Sequence, residues 1–162
     1  DLHSFPTRRS SDLFVTPPLS LVFGLQEALR LLLDEGLDNI YKRHLLYREI
    51  VRKAVQAMGL KTLAGDACAS PVVTSVVAPE GVGGDAIRAY LLQQFNVVFS
   101  GGQGALKDKI FRIGHLGYVR ELDLLAALGA LEIALHKLGA AVTPGAGMVA
   151  AQQVLAAAVP TV

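Results

Sequence analysis

Apolar positions in the first third of the chain recur every three or four residues, which is the spacing of amphipathic helices. A first helix is predicted to begin at Thr16-Pro17-Pro18, with the threonine as N-cap and proline in the first turn, and to stop at Gly36. Asp38 is predicted to cap a second helix that runs to Met58 and is closed by Gly59. The apolar face of this second helix comprises Ile40, His44, Tyr47, Val51, Val55 and Met58.

The pattern then changes to short β-branched runs separated by turn residues. Strands are predicted at Val72 to Ala78, Asn96 to Phe99 and Ile110 to His115. Asp85 is predicted to cap a helix between the first two strands, ending at Phe95.

Two further helices follow the last predicted strand. One runs from about Glu121 to Leu138, and a terminal helix follows Pro144-Gly145. The residues expected to cover the sheet are Leu122, Leu125, Leu128, Leu131, Ile133 and Leu135. The order ααβαββα, with the terminal helix closing the chain, predicts an α+β two-layer sandwich preceded by a long helix.

Composition narrows the class of protein. The 162 residues are 52% hydrophobic and 18% charged with a formal net charge of +1, which is typical of a globular domain. This charge gives no electrostatic footprint for nucleic acid, and no run of 18 uncharged apolar residues predicts a membrane span. Cys68 is the single cysteine, which favours a reducing compartment such as the cytoplasm.

Residues 1–13, DLHSFPTRRSSDL, differ from everything that follows because they are polar and basic and lack periodic apolar positions. They resemble the conceptual translation of a short-read sequencing adapter, although a native N-terminal tail is the alternative. Residues 1–13 are therefore expected to be non-native, and residues 14–162 to form one domain.

The stretch with the clearest chemistry is Ser100 to Tyr118, SGGQGALKDKIFRIGHLGY, which places Arg112 inside an apolar strand. A guanidinium binds a carboxylate through two parallel hydrogen bonds, and burying it without a partner is costly. Because strand side chains alternate, Arg112 is expected to point away from Phe111 and Ile113, toward the open face of the sheet. A snorkelling or internally salt-bridged arginine is the alternative. His115 is expected to be a hydrogen-bonded structural residue.

Other chemistries have weak signals. No metal site is predicted, because His3, His44, His115 and His136 lie far apart and none pairs with a cysteine at zinc spacing. The letters Gly145-Ala-Gly147-Met-Val-Ala150 match a dinucleotide-binding pattern, but they do not follow a good strand and indicate a turn and a helix start.

Three segments together carry a family resemblance: Thr16-Pro17-Pro18, FGLQEALRLLLDEGLDNIYKRH from Phe23, and the stretch from Ser100 to Tyr118. In this order and spacing they resemble the C-terminal part of class V pyridoxal-phosphate aminotransferases, within the alanine–glyoxylate and serine–pyruvate aminotransferase branch. The resemblance covers Phe14 to Leu155. It implies the small C-terminal domain of a fold-type I enzyme, a homodimer, whose large cofactor domain is missing from this chain.

The resemblance also implies roles for individual residues. Arg112 would bind the substrate α-carboxylate, and Thr16 would contact the phosphate of pyridoxal 5'-phosphate in the neighbouring subunit. The Schiff-base lysine of the family has no counterpart in this chain, so no catalytic residue is assigned and the chain is expected to be inactive alone. The complete enzyme would move an amino group from alanine or serine to glyoxylate or another 2-oxo acid. The family loop commonly has glycine where this chain has Asp108.

Two other functions stay open from the sequence. One is a stand-alone α+β module that binds a small carboxylate. The other is a fragment of a related class V enzyme such as a cysteine desulfurase, which would need a nucleophilic cysteine in the loop before Arg112. Residues 100–108 contain none, and Cys68 lies well upstream, where a small core or loop residue is expected.

Overall fold

A computed structural model describes residues 18–158, so the predicted adapter-derived segment at residues 1–13 and Thr16 lie outside the described residues. The described residues divide into two compact units, residues 18–40 and residues 41–158. The helices are α1 (Leu19–Glu35), α2 (Leu37–Ala57), α3 (Gly84–Phe95), α4 (Glu121–Lys137) and α5 (Ala146–Ala158). The strands are β1 (Val73–Val77), β2 (Ser100–Gly101) and β3 (Ile110–Gly114).

Helix α1 ends where the sequence predicts, but its start differs from the expectation. Gly36 terminates the helix with a φ of 81°, a conformation that glycine adopts without strain. Pro18 takes the N-cap position, with no side-chain cap, instead of lying in the first turn. No residue of α1 is buried, and its apolar side chains are exposed.

Helix α2 forms much of the core, but the predicted Asp38 cap is wrong. Asp38 lies inside the first turn, because the amides of Asn39 and Ile40 already bond to the Gly36 carbonyl. The predicted apolar face is confirmed except at half-buried His44: Ile40, Tyr47, Val51, Val55 and Met58 are all buried.

The three strands form one antiparallel sheet in the order β1-β3-β2. The predicted strand from Asn96 to Phe99 is wrong, because Asn96 has a φ of 54° and caps the C-terminus of α3 in the left-handed conformation. The chain reaches strand geometry only at Ser100, where β2 pairs with Arg112 and Phe111 of β3.

Helices α3, α4 and α5 complete the helical layer: α3 packs on β2, β3 and α4, and α4 packs on α5. Half of the predicted α4 face is confirmed, since Leu128, Leu131 and Leu135 are buried. Leu122 and Ile133 are 75% and 47% exposed, however, and Leu124 takes the expected place of Leu122 at 3%. At 100° per residue, Leu122 and Ile133 lie on the side of α4 opposite to the buried leucines, so the predicted face combined two sides of the helix. The α+β prediction itself is confirmed.

The described residues were compared with the requirements for a membrane-spanning helix and for a metal site. Within residues 18–158, none of the helices is long and apolar enough to cross a membrane. In the same range, no group of three or more histidine, cysteine or acidic side chains is placed to hold a metal ion.

Candidate carboxylate-binding site

Arg112 lies at the centre of β3, between the two other strands of the sheet. Its register partners are Ser75 of β1 and Ser100 of β2, so these three side chains lie side by side on one sheet face. Phe111 and Ile113, whose side chains point to the other face, are 0% and 2% exposed, whereas Arg112 is half-buried. The predicted orientation of Arg112 toward the open face is therefore confirmed.

A main-chain carbonyl holds the Arg112 side chain in place. Arg112 Nε donates a hydrogen bond to the Gly101 carbonyl oxygen at 3.0 Å. Within residues 18–158, neither terminal nitrogen of this guanidinium makes a hydrogen bond or an ion pair. The fork of the guanidinium thus keeps the donors that a carboxylate binds in parallel.

The loop between β2 and β3 is tied to the N-terminus of α3 by Asp108. Asp108 has a φ of 60°, a conformation that glycine adopts freely and that aspartate tolerates better than most residues. Its Oδ1 accepts the backbone N–H of Asp85 at 2.8 Å, so the predicted Asp85 cap is wrong. Asp85 instead pairs with Arg88, whose Nε donates to the Phe99 carbonyl at 2.9 Å.

His115 follows β3 and is completely buried. Thr74 Oγ1 and His115 Nε2 are 3.0 Å apart, and the His115 amide donates to the Val72 carbonyl at 3.0 Å. Burial lowers the pKa of His115 to about 4, and electrostatic interactions with His44 and Arg48 act in the same direction. The predicted hydrogen bonding of His115 is confirmed, and these contacts join β3 to the start of β1; its structural role stays a prediction.

Sequence reasoning missed Ser75 and Ser100, because it did not determine which strands flank Arg112. Each residue lies in a β-branched or glycine-rich run without a chemical signal of its own. Cys68, by contrast, is an exposed residue of the short 3-10 helix Asp66–Cys68, which confirms a loop residue and not a core one.

Comparison with known proteins shows what this chain is similar to. No family model matches it. It is 46% identical over 144 residues to the soluble hydrogenase small subunit of Synechococcus sp. (strain PCC 6716), covering 88% of this chain and 37% of that protein. It is 44% identical over 141 residues to the serine–glyoxylate aminotransferase of Methylorubrum extorquens, covering 86% of this chain and 35% of that protein.

A solved structure agrees with these relatives. The pyridoxamine-pyruvate aminotransferase of Mesorhizobium loti superposes with a TM-score of 0.85 at 39% identity, covering 90% of this chain and 38% of that one. This chain is a homologue of part of the aminotransferases. The predicted resemblance is confirmed, and the chain spans only 37% and 35% of the length of the two curated relatives.

The N-termini of α3, α4 and α5 do not fit the phosphate of a pyridoxal-phosphate cofactor. A cofactor phosphate is commonly bound by free N–H groups at a helix N-terminus. The N-termini of α3, α4 and α5 instead receive carboxylates, from Asp108, Asp123 and Glu132 respectively. A carboxylate at these positions uses the N–H donors and repels a second anion.

Glu132 also removes the dinucleotide interpretation of Gly145 and Gly147. Its carboxylate accepts the backbone N–H of Gly145 at 3.2 Å and that of Gly147 at 2.6 Å. Glu132 is 5% exposed, and its two acceptors satisfy the start of α5. Glu132 therefore caps the N-terminus of α5, and the sequence analysis missed this role because the contact spans more than a dozen residues.

Proposed function

We propose that this chain is the C-terminal part of a class V pyridoxal-phosphate aminotransferase. The complete enzyme moves an amino group from alanine or serine to glyoxylate or another 2-oxo acid, acts as a homodimer and is cytoplasmic. In this proposal Arg112 binds the α-carboxylate of both the amino-acid donor and the 2-oxo-acid acceptor. This chain would supply the substrate-binding half of the site.

The observation that supports the proposal is that the Arg112 guanidinium is fixed at Nε and keeps both terminal nitrogens without partners among the described residues. It is half-buried between Ser75 and Ser100, and its Nε is fixed by the Gly101 carbonyl at 3.0 Å. A guanidinium fixed at one nitrogen loses little conformational entropy when its other two nitrogens bind a carboxylate. The fixed direction orients the Cα substituents of the substrate, which is how a positioning group accelerates proton removal.

The cofactor belongs to the part of the enzyme that this chain does not contain. When bound, pyridoxal phosphate supplies the electron sink for the reaction. Because α3, α4 and α5 already bind carboxylates at their N-termini, the phosphate contact is proposed only for Thr16, in the neighbouring subunit. We expect the chain alone, mixed with pyridoxal phosphate and alanine, to show no transamination of glyoxylate.

A chimera tests the proposal directly. Residues 18–158 replace the corresponding segment of the Methylorubrum extorquens serine–glyoxylate aminotransferase, and kcat and KM are measured for alanine, serine and glyoxylate. Transamination should persist, and Arg112→Lys should lower kcat/KM on the order of 100-fold, because one bidentate charged contact is lost. The loss should appear mainly as a higher KM for every carboxylate substrate.

Arg120→Lys is the matched control, since Arg120 is an exposed arginine that contacts Tyr118. It should leave kcat/KM unchanged. A folded chimera that binds cofactor but does not transaminate would contradict the proposed function, as would equal losses in the Arg112 and Arg120 variants. Release of sulfur from cysteine instead would favour the desulfurase alternative, and retained acetate binding without turnover would favour the carboxylate-binding module.

A further inference from the structure

A second basic feature lies along α2 and shares no residue with the Arg112 surface. It is a cleft of about 160 Å³ between α2 and the short 3-10 helix that contains Asp66. The cleft is large enough to hold a small ion. The lining residues are Arg48, Glu49, Arg52, Lys53, Gln56 and Asp66.

Arg52 forms the inner wall of this cleft and is only 7% exposed. Its Nε and Nη2 both donate to Asp66 Oδ1, at 2.8 Å and 2.5 Å. Its Nη2 also donates to Thr62 Oγ1 and to the Ala64 carbonyl oxygen. Within residues 18–158, Nη1 has no hydrogen-bond partner, and it is not among the fully enclosed polar atoms. This donor of a nearly buried arginine therefore remains available to the cleft.

Arg48 lies one helical turn before Arg52, so the two cations occupy the same side of α2. Among the described residues, Arg48 has no hydrogen-bond or ion-pair partner. Asp66 compensates the charge of Arg52, whereas Arg48 has no ion-pair partner among the described residues, so an anion in the cleft would supply a counter-ion for Arg48. We propose that the cleft binds one small oxoanion, a phosphate or a carboxylate, between Arg48 and the Nη1 of Arg52.

The remaining lining residues agree with an anion of this size. Lys53 adds a third cation, and Gln56 offers amide N–H donors. Asp66 is already paired with Arg52, and Glu49 precedes Lys53 by four residues, the favourable orientation for a helical ion pair. The cleft therefore carries a net charge of +1, from three cations and two carboxylates.

The experiment is a titration of the isotope-labelled 162-residue chain with inorganic phosphate, followed by amide chemical shifts at constant ionic strength. Sodium acetate is the second probe, and chloride serves as the reference anion. Phosphate should cause saturable shifts at residues 48–56 and 64–66. Arg48→Gln should weaken binding roughly tenfold, since one charge-assisted contact is lost. Lys53→Gln should weaken it by a smaller factor.

Lys42→Gln is the matched control, because it removes one exposed cation from the same helix outside the cleft. It should leave the phosphate affinity unchanged. Linear shifts without saturation would overturn the proposal, as would an equal loss of affinity in Lys42→Gln and Arg48→Gln. Saturation by phosphate alone would assign the site to phosphate, and saturation by both probes would assign it to oxoanions in general; either supports the proposal.

Discussion

Asp108 Oδ1 accepts the backbone N–H of Asp85 at 2.8 Å, and this one contact joins the loop before β3 to the first turn of α3. The Asp108 backbone is in the left-handed region, with a φ of 60°. Aspartate thus combines two functions at this position, because it tolerates the conformation that glycine provides and adds a helix cap that glycine lacks.

Substitutions of Asp108 should separate these two contributions to stability. Asp108→Asn should be nearly neutral, since asparagine tolerates left-handed backbone and its carbonyl oxygen can accept the same N–H. Asp108→Gly should cost about 1 kcal/mol through loss of the cap. Asp108→Ala should cost about 2 to 3 kcal/mol, because it adds backbone strain to the lost cap. Urea denaturation measures the order, and an alanine variant as stable as the glycine variant would contradict it.

Removal of the buried Glu132 carboxylate should destabilise the fold more than removal of any exposed charged side chain. Glu132→Ala leaves the Gly147 N–H buried without an acceptor and should cost about 2 to 4 kcal/mol. Glu132→Gln keeps one acceptor and should cost less. Thermal unfolding measures both against Glu80→Gln, which changes an exposed acidic residue. If all three variants unfold at one temperature, Glu132 does not stabilise α5.

The stability of the chain should depend on pH through His115. Its pKa in the folded protein is about 4, below the value of about 6.5 expected for the unfolded chain. Between these values the unfolded state binds more protons, so stability rises with pH across this window and is lost as pH falls from 6.5 to 4. The His115 contribution to this loss should be up to roughly 3 kcal/mol.

The variant His115→Gln isolates this effect, because glutamine offers a polar group to Thr74 and does not titrate. The free energy of unfolding, measured by urea denaturation from pH 4 to pH 7, should vary less in this variant than in the wild type. Parallel curves for the two proteins would show that His115 does not titrate differently on unfolding.

The exposed apolar side chains of α1 should cause self-association. Val22, Leu25, Leu29 and Leu33 line a groove on this helix, and Leu25 and Leu29 are 59% and 49% exposed. Burial of each such leucine contributes about 1.5 to 3 kcal/mol, so contact between copies is favoured. Light scattering should give a mass above the 17.1 kDa of one chain.

Leu25→Glu together with Leu29→Glu should return the mass to that of a monomer, whereas Gln26→Glu should not. The control adds one negative charge to the same helix without removing an apolar contact. A wild type that stays monomeric at high protein concentration would contradict this prediction.

Local sequence patterns predicted most of the helices and strands, because the residues that start or end each element are close to it in sequence. Gly36 ends α1 and Gly59 follows α2 because each adopts positive φ. The direction of Arg112 follows from strand alternation alone. The prediction of a carboxylate-binding site also follows from local sequence, because it depends on one arginine among apolar neighbours in a strand.

Contacts between distant segments explain what the sequence did not predict. Asp108 caps α3 across 23 residues, and Ser75 reaches Arg112 through the β1 and β3 pairing. The start of β2 was misplaced because strand pairing, not β-propensity, sets it at Ser100. The sequence around each residue of such a pair gives no information about which distant residue it contacts.

The acceptor that holds Arg112 is a carbonyl of the main chain, so no side-chain substitution removes this acceptor itself, although a substitution that shifts the backbone would displace it. A Cβ at Gly101 would lie 2.7 Å from Arg88 Nη1, and one at Gly102 would overlap the Leu106 carbonyl oxygen. The backbone conformation of this loop therefore determines the direction in which the Arg112 guanidinium points. Substitutions of the outward-facing side chains in this loop should leave the direction of the Arg112 guanidinium unchanged. One methyl group added at Gly102, although far smaller than any substrate, would shift the loop and change that direction.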